Sequence, residues 1–369
     1  MTNDDSPRVN GIDMARIPKV SLHDHLDGAL RPQTIIELAR DIGHKLPAGD
    51  ATLLDDWFLQ SCTSGRLEDY LQTFEHTTAV MQTEEGLVRV AREYVVDAAA
   101  DGVVYAETRW APEQHTRRGM SMQEAVDAVA AGLREGEAVV RDRGGRIEVR
   151  QILCAMRQND RSLDVAQLAL ANRGGSVVGF DLAGPEVGFP ASRHREALEL
   201  LAREFFPTTI HAGEEGDLEL IEDALVAGRP LRIGHGVRLV EDIDWDVDGS
   251  PLLGPVASWV RDRRIVVESC PSSNLQTAGM NDLGTEIADH PFDVFYDAGM
   301  AVTVNPDNRL MSRTSCSREL GLLVDAFGYD LGDLETFALN AADGAFLPLD
   351  EREDLADQIV HSFDGLRAE

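Results

Sequence analysis

Two histidines in the segment SLHDHLDG, His23 and His25, are separated by a single residue and follow an apolar run typical of a β-strand. Residues i and i+2 of a strand face the same side, so both imidazoles project toward one point while Asp24 faces the other way. Two imidazoles placed in this way can bind one metal ion. The H-x-H spacing by itself is a moderate signal, because a single histidine in a strand is more often a core residue.

Ionisable residues also end other segments that resemble strands. His211 and Glu214 lie in HAGE, His235 lies in IGHG, and Asp307 lies in VNPDN. In a barrel of parallel strands the carboxyl ends of the strands meet at one face, where active sites form. The sequence therefore predicts one site in which His211 and Asp307 complete a metal centre with the H-x-H pair.

The predicted ligands are three imidazoles and one carboxylate, from His23, His25, His211 and Asp307. This set suits zinc better than magnesium or calcium, which prefer oxygen ligands, although iron, manganese and cobalt also fit by ligand type. Zinc lowers the pKa of bound water from about 15.7 to near 7 and so supplies hydroxide at neutral pH. The predicted chemistry is attack by a nucleophile that the metal activates.

The scarcity of lysine predicts a single zinc ion per chain. The sequence has two lysines, Lys19 and Lys45, and neither lies in the middle strand VVGFDLAG. Many barrel hydrolases with two metal ions bridge them with a modified lysine on a middle strand. The four ligands and the missing lysine together indicate one metal site.

Short segments rich in β-branched residues alternate with segments of helical periodicity, which is the pattern of a parallel sheet built from βαβ units. The predicted strands are residues 19–25, 103–110, 146–156, 177–184, 208–214, 231–236, 265–271 and 301–307. Strands in this number can close a (β/α)₈ barrel, and the 369 residues exceed the roughly 250 of a plain barrel. We expect an α/β TIM barrel in a single domain of residues 1–369, with extra helices at approximately residues 30–100 that cap its C-terminal face.

Charge and composition exclude several kinds of partner. The chain carries 65 acidic and 34 basic residues, a formal net charge of -31, which opposes binding to nucleic acid or to an anionic membrane. The N-terminal segment has neither the basic start nor the apolar stretch of a secretory signal, so a cytoplasmic protein is expected. The four cysteines are widely spaced, which predicts reduced thiols. The acidic segment 241–249 is interpreted as a solvated insertion loop, and the oligomeric state stays open.

Five segments in this order, SLHDHLDG, FDLAGPE, HAGE, IGHG and VNPDN, resemble the motifs of the adenosine deaminase family of metal-dependent barrel hydrolases. The resemblance extends from Pro18 to about Pro348. It implies zinc on the four predicted ligands and hydrolytic deamination of adenosine and 2′-deoxyadenosine to inosine and 2′-deoxyinosine, with release of ammonia. The other zinc deaminase design is excluded because the sequence contains no P-C-x-x-C motif.

The resemblance also implies the catalytic residues Glu214, His235 and Asp307. Glu214 would be the acid that protonates purine N1, which makes C6 electrophilic. His235 would take the proton from the metal-bound water, or hold the hydroxide over C6 with Asp307 aligning it. A fifth metal ligand and a buried hydrogen-bonding side chain are the other interpretations of His235.

Substrate contacts are implied at His25, Asp27, Gly184 and Asn308. Asp27 resembles the position that accepts the ribose 5′-hydroxyl, and Gly184 the one whose backbone N–H meets purine N3, although a glycine there can also simply turn the chain. Asn308 stands where the familiar animal form has a second aspartate, with Pro306 before the metal ligand. The asparagine amide can donate to purine N7.

The predicted small-molecule partner is a purine nucleoside, with two alternatives left open. The same chemistry could act on another 6-aminopurine, either a modified adenosine nucleoside or adenine. The chain could also be a binding protein that kept the barrel and lost catalysis. In the predicted cap, four apolar residues at helical spacing resemble a gate over the purine or form a helix core: Leu67, Tyr70, Leu71 and Phe74.

Overall fold

The computed structural model describes residues 7–63 and 65–369. Residues 1–6, part of the N-terminal segment predicted to lack a secretory signal, lie outside the described residues. The centre of the fold is a set of parallel strands that are buried on both faces, as expected for strands covered by helices. These strands are β1 (Lys19–His25), β2 (Val103–Trp110), β3 (Glu148–Met156), β4 (Val177–Ala183), β5 (Thr209–Ala212), β6 (Arg232–His235), β7 (Val266–Ser269) and β8 (Val302–Val304).

The strands form two parallel four-stranded sheets, β1 to β4 and β5 to β8, which join at both seams. Phe180 of β4 forms a parallel bridge with Thr208 just before β5, and Asp24 of β1 forms one with Asp307 just after β8. At the second seam the backbone N–H of Asp307 donates to the carbonyl of His23 at 3.0 Å. The predicted (β/α)₈ barrel is confirmed.

The connections between the strands are helical, as their periodicity predicted. The α-helices of the described residues are α1 (Pro32–Ile42), α2 (Ala51–Cys62), α3 (Leu67–Gln72), α4 (Phe74–Val80), α5 (Glu84–Ala100), α6 (Met122–Asp142), α7 (Ser162–Ala171), α8 (Arg195–Arg203), α9 (Leu218–Gly228), α10 (Pro255–Asp262), α11 (Pro271–Gln276), α12 (Phe292–Asp297), α13 (Cys316–Phe327), α14 (Leu331–Gly344) and α15 (Leu349–Arg367).

Helices α1 to α4 form the cap, whereas α5 lies in the outer layer of the barrel beside α6. Two glycines of α6 permit this close contact. A Cβ on Gly132 would come within 2.4 Å of the Val88 carbonyl oxygen, and one on Gly136 within 2.5 Å of the Val95 Cβ. The residues at approximately 30–100 that we predicted as a cap therefore include one helix of the barrel wall.

One continuous apolar core extends from Val9 to Leu366 and contains side chains of the barrel strands and of the helices packed on them. The assignment of residues 1–369 to a single domain stays a prediction, which this core supports. Within the described part of the chain, no helix has both the length and the apolar character needed to cross a bilayer.

The acidic segment 241–249 enters a short β-hairpin rather than the loop that we predicted. Ile243–Trp245 pairs antiparallel with Pro251–Leu253. Ile243 is buried in the core and Leu253 packs against it, while Asp244, Asp246 and Asp248 are exposed to solvent. Asp242 is half-buried and accepts a hydrogen bond from the backbone N–H of Ala257. The acidic composition concealed the strand pair because only its apolar ends contribute to the core.

Candidate active site

The four predicted metal ligands meet at the C-terminal end of the barrel. The ligand atoms of His23, His25, His211 and Asp307 all lie within 4.8 Å of one another. The Nε2 atoms of His25 and His211 are 3.2 Å apart, and the Nε2 of His23 lies 3.2 Å from a carboxylate oxygen of Asp307. His23 and His25 share one side of β1, as the two-residue period of a strand requires. Three strand ends thus supply three nitrogens and one oxygen to one point.

These side chains fit a metal ion. The Nε2 of His23 and the Oδ1 of Asp307 are buried 3.2 Å apart, and neither forms a hydrogen bond of acceptable geometry with a described residue. Buried polar atoms without a partner are rare in folded proteins because they lose their hydration and gain no bond in return. A cation held between them removes that penalty, and the donor set matches the nitrogen and oxygen ligands of zinc.

Two residues of the site have a backbone conformation that few non-glycine residues adopt. The φ angle is 57° at Asp307 and 65° at His235. Such residues cost about 1–3 kcal/mol and concentrate at functional sites. Because the chain turns there, β8 ends at Val304 and β6 ends at His235, earlier than the sequence predicted.

Two buried carboxylates orient the histidine ligands. The Nδ1 of His23 lies 2.9 Å from Glu268, and the Nδ1 of His211 lies 3.1 Å from Asp181. Each contact holds a proton on Nδ1 and leaves Nε2 free to bind a metal. Arg109 joins the two carboxylates, at 3.1 Å from Asp181 and 2.8 Å from Glu268, and all three side chains are fully buried.

Buried arginines keep the carboxylates of Glu268 and Asp181 ionised. Burial alone would raise the pKa of Glu268, but Arg109 and Arg232 outweigh it and hold that pKa below its usual range. Burial also acts against the ionisation of Asp181, and His211 together with Arg109 keeps its pKa well below the ordinary value. Asp181 and Glu268, which lie behind the histidines, are therefore ionised, and each is paired with the buried Arg109.

Glu214 and His235 lie beside the four predicted metal ligands. A carboxylate oxygen of Glu214 is 3.6 Å from the Nε2 of His235, and both residues approach Asp307 within 4.8 Å. Burial, together with the charges of Asp307 and Glu186, raises the pKa of Glu214 well above its ordinary value. This environment favours the protonated carboxyl group of Glu214, the form that can donate a proton.

Hydrogen bonds behind His235 decide which of its nitrogens carries the proton. The backbone N–H of Phe292 donates to the Nδ1 of His290 at 3.1 Å, so neutral His290 has its proton on Nε2. The Nε2–H group of His290 donates to the Asn274 amide oxygen at 3.1 Å, and the Asn274 amide nitrogen donates to the Nδ1 of His235 at 3.0 Å. Burial lowers the pKa of His290 to about 3 and that of His235 well below its ordinary value. Neutral His235 therefore presents an N–H, on Nε2, to the metal site.

Glu186 fixes the loop that carries Glu214. Its buried carboxylate accepts hydrogen bonds from the backbone N–H groups of Gly213, Glu214 and Gly216, each at 3.0 Å. Gly213 has a φ of 75°, which lets the chain turn sharply after β5. The loop after His211 is thus held by a charged acceptor, and Glu214 starts from a fixed backbone.

Sequence reasoning assigned no role to several residues that support the site. Their signal was a charged or amide side chain inside a strand or beside a motif, which predicts burial but does not identify the partner. These residues are Asp181, Glu186, Arg232, Glu268, Asn274 and His290. Arg109 was considered only as a cation that could reach the 5′ end of the substrate, and the structure places it between Asp181 and Glu268 instead.

A cavity of about 430 Å³ lies above the metal ligands. The predicted substrate residues all line it, namely His25, Asp27, Gly184 and Asn308. Burial raises the pKa of Asp27 to about 7. A Cβ on Gly28 would come 1.9 Å from the Asn308 amide oxygen, so a glycine at this position is what lets Asn308 pack against β1's end beside the cavity.

The four apolar cap residues line the same cavity. Leu67 and Tyr70 are also almost completely buried, with 2% and 1% of their surface exposed. They therefore pack inside the cap and present an apolar wall to the cavity at the same time. The cap supplies this wall because α3 and α4 lie directly above the strand ends.

The fold and the site together define a class of protein. A parallel barrel that carries three histidines, one aspartate and a buried glutamate at the C-terminal ends of its strands is typical of the metal-dependent barrel hydrolases.

Comparison with known proteins narrows this class. Residues 18–362 match the adenosine deaminase family, and the chain belongs to that family. A relative from Streptomyces coelicolor named adenosine deaminase 1 is 53% identical over 346 residues, which cover 94% of this chain and 86% of the relative.

Two solved structures share the fold. An adenine deaminase from Arthrobacter aurescens is 27% identical with a TM-score of 0.79, and the match covers 94% of this chain and 98% of that one. An amidohydrolase from Burkholderia ambifaria, solved with bound zinc, is 26% identical with a TM-score of 0.80 over 99% of both chains.

Proposed function

We propose that this protein is an adenosine deaminase, which hydrolyses adenosine and 2′-deoxyadenosine to inosine and 2′-deoxyinosine with release of ammonia. The observation that carries the proposal is the position of buried Glu214 beside His235 and the predicted metal ligands, in the lining of a cavity of about 430 Å³. The high identity to a curated adenosine deaminase over most of the chain supports it.

Zinc is the metal that we propose for the site, one ion per chain, held by His23, His25, His211 and Asp307. When bound, zinc would supply an activated water, because it lowers the pKa of that water to near 7. The buried Glu268 and Asp181 hold two of the imidazoles with Nε2 toward the ion. The zinc bound to the Burkholderia ambifaria amidohydrolase supports this choice.

Glu214 and His235 carry the proton chemistry of the proposal. Glu214 donates its proton to purine N1 and makes C6 electrophilic. His235, with its proton on Nε2, donates a hydrogen bond to the oxygen that attacks C6 and so holds it in place. This arrangement favours the holding role over the role of a base, because Asn274 already occupies the lone pair on Nδ1.

A second candidate substrate is free adenine, since the adenine deaminase from Arthrobacter aurescens shares the fold. A panel of adenosine, 2′-deoxyadenosine, N6-methyladenosine and adenine, followed by the loss of adenine absorbance, tests the proposal. We expect the two unmodified nucleosides to give the highest kcat/KM. A higher kcat/KM for adenine would make the second candidate correct, and no turnover of any compound would favour a binding protein.

We expect the purified protein to hold close to one zinc per chain and to lose its activity to a chelator. Four ligands converge on one point, and no lysine lies on β4 to bridge a second ion. Elemental analysis gives the metal content, and added zinc should restore activity to the chelated protein. Two tightly held metal ions per chain would contradict the proposal.

Nucleosides should be preferred over 5′-nucleotides by at least roughly tenfold in kcat/KM above pH 7, where Asp27, whose pKa is raised to about 7, is ionised. Two unit charges about 4 Å apart then repel by about 4 kcal/mol at a partly buried site. The charges are those of Asp27 and a 5′-phosphate. Arg109 and Arg238, whose positions near strand ends could offset this repulsion, are engaged with carboxylates elsewhere. The measurement is kcat/KM for adenosine and AMP side by side.

Arg117 is the cation that could reverse this preference. It lines the cavity and is exposed at its mouth. Comparable kcat/KM values for adenosine and AMP would show that the assigned role of Asp27 is wrong. An Arg117→Gln variant would then identify the guanidinium as the phosphate partner if it lost activity on AMP alone.

A further inference from the structure

Glu113 has one carboxylate oxygen that is fixed and one that is free. It lies in the 3₁₀ turn Pro112–His115 after β2 and is 8% exposed. Its Oε1 accepts a hydrogen bond from the backbone N–H of Met156 at 2.8 Å and lies 3.5 Å from the Asn159 amide. Its Oε2 is buried with no hydrogen-bond partner among the residues that the structure describes. Because Oε1 is anchored, Oε2 has a fixed position.

Glu113 lines the same cavity as the metal ligands. A carboxylate oxygen there can only accept hydrogen bonds when it is ionised, so its natural partner is a ligand that brings a donor. A buried acceptor that stays unpaired costs free energy, and pairing it with a ligand hydroxyl recovers that cost on binding. The free oxygen therefore marks a contact that is completed by the substrate.

The position of Glu113 indicates which end of the substrate it meets. The backbone N–H of Met156 donates to Glu113, and the side chain of Met156 lies beside Gly184. A Cβ on Gly184 would lie 3.2 Å from the Met156 methyl group. In the proposed function, Gly184 meets purine N3, and N3 is next to N9, the atom that carries the sugar. The reacting C6 lies at the opposite side of the purine, near Glu214. Glu113 is therefore on the sugar side of the cavity.

We infer that the free carboxylate oxygen of Glu113 accepts a hydrogen bond from the 2′- or 3′-hydroxyl of the ribose, which makes Glu113 a determinant of specificity for nucleosides over the free base. The inference rests on the proposed function and adds a second sugar contact to Asp27. Free adenine lacks both hydroxyls, and on this side it offers only its N9–H, which lies closer to the ring than either hydroxyl.

The test compares wild type, Glu113→Gln and Glu222→Gln on adenosine, 2′-deoxyadenosine and 3′-deoxyadenosine. Glutamine at position 113 keeps an oxygen for the Met156 N–H and removes the charged acceptor from the cavity. Glu222 is an exposed carboxylate on α9 that does not line the cavity, so its variant makes the same substitution away from the substrate. Thermal unfolding and metal content establish that both variants are folded.

We expect Glu113→Gln to lower kcat/KM for adenosine by roughly tenfold or more, as for the loss of a hydrogen bond to a charged group. The loss should disappear with the one deoxynucleoside that lacks the hydroxyl bonded to Glu113. Glu222→Gln should behave as wild type on all three substrates. Wild type alone gives an independent measure, because it should favour adenosine over that same deoxynucleoside.

An equal loss on all three nucleosides would overturn the inference, because it would mean that Glu113 only supports Met156. So would wild-type kcat/KM values that do not change when either hydroxyl is removed. If wild type turned over none of the three nucleosides, the proposed function itself would fail, and this inference with it.

Discussion

Replacing Glu214 with glutamine should lower kcat by roughly 10²–10⁴-fold, the usual contribution of a positioned acid or base. Glutamine has nearly the same shape but cannot give up a proton to purine N1. The change should leave the metal content unchanged, because four other atoms surround the ion's position and Glu214 lies beside them. Steady-state kinetics and elemental analysis on the same preparation measure both quantities.

The matched control for this prediction is Glu215→Gln. Glu215 is the next residue in the same loop and is half-buried, but it does not line the cavity. Its replacement removes the same charge close by and should keep kcat near the wild-type value. Near-normal turnover of Glu214→Gln with its zinc intact would exclude Glu214 from the mechanism.

Replacing Arg109 with methionine should lower the free energy of unfolding by about 3–5 kcal/mol, the cost of leaving buried charges without their partner. Arg109 is fully buried and joins Asp181 to Glu268, so its loss removes the cation between these two carboxylates, and only Glu268 keeps a paired arginine, Arg232. These carboxylates orient His211 and His23, and zinc affinity should therefore also fall by about 10–100-fold. Chemical denaturation of the metal-free protein and a competition assay for zinc give the two values.

The control is Arg203→Met on the surface of the barrel. Arg203 pairs with Glu199 one turn away on α8, and both side chains are largely exposed. Surface pairs of this kind contribute about 0–1 kcal/mol, so the free energy of unfolding should change little. Similar changes in unfolding free energy and zinc affinity for Arg109→Met and Arg203→Met would contradict this prediction. The ion pairs of Arg109 would then not be what holds His23 and His211 in place.

The metal ligands could be predicted from the sequence because their positions follow from local rules. The two-residue period of a strand puts His23 and His25 on one side, whatever the rest of the chain does. The parallel arrangement of the strands then brings the residues at their carboxyl ends, His211 and Asp307 among them, to one face. Neither step requires knowledge of a particular contact.

The cap was predicted less accurately, since helical periodicity does not say which surface a helix covers. Helix α5 has the apolar stripe of any amphipathic helix, and only Gly132 and Gly136 on α6 decide that it packs along the barrel wall. The hairpin at Ile243–Trp245 was missed for a related reason, because its core contacts come from few residues.

The sequence by itself determined the barrel, the three histidines and aspartate that can hold a metal, and the glutamate beside them, because residue type and spacing along a strand are enough for each. Only the tertiary structure decided the tautomer of His235, the charge balance beneath the ligands and the free oxygen of Glu113. Each of these three features depends on which side chain, distant in sequence, packs next to a buried polar group in the folded protein. Burial makes that neighbour decisive, since a polar atom without water must find its partner within the fold.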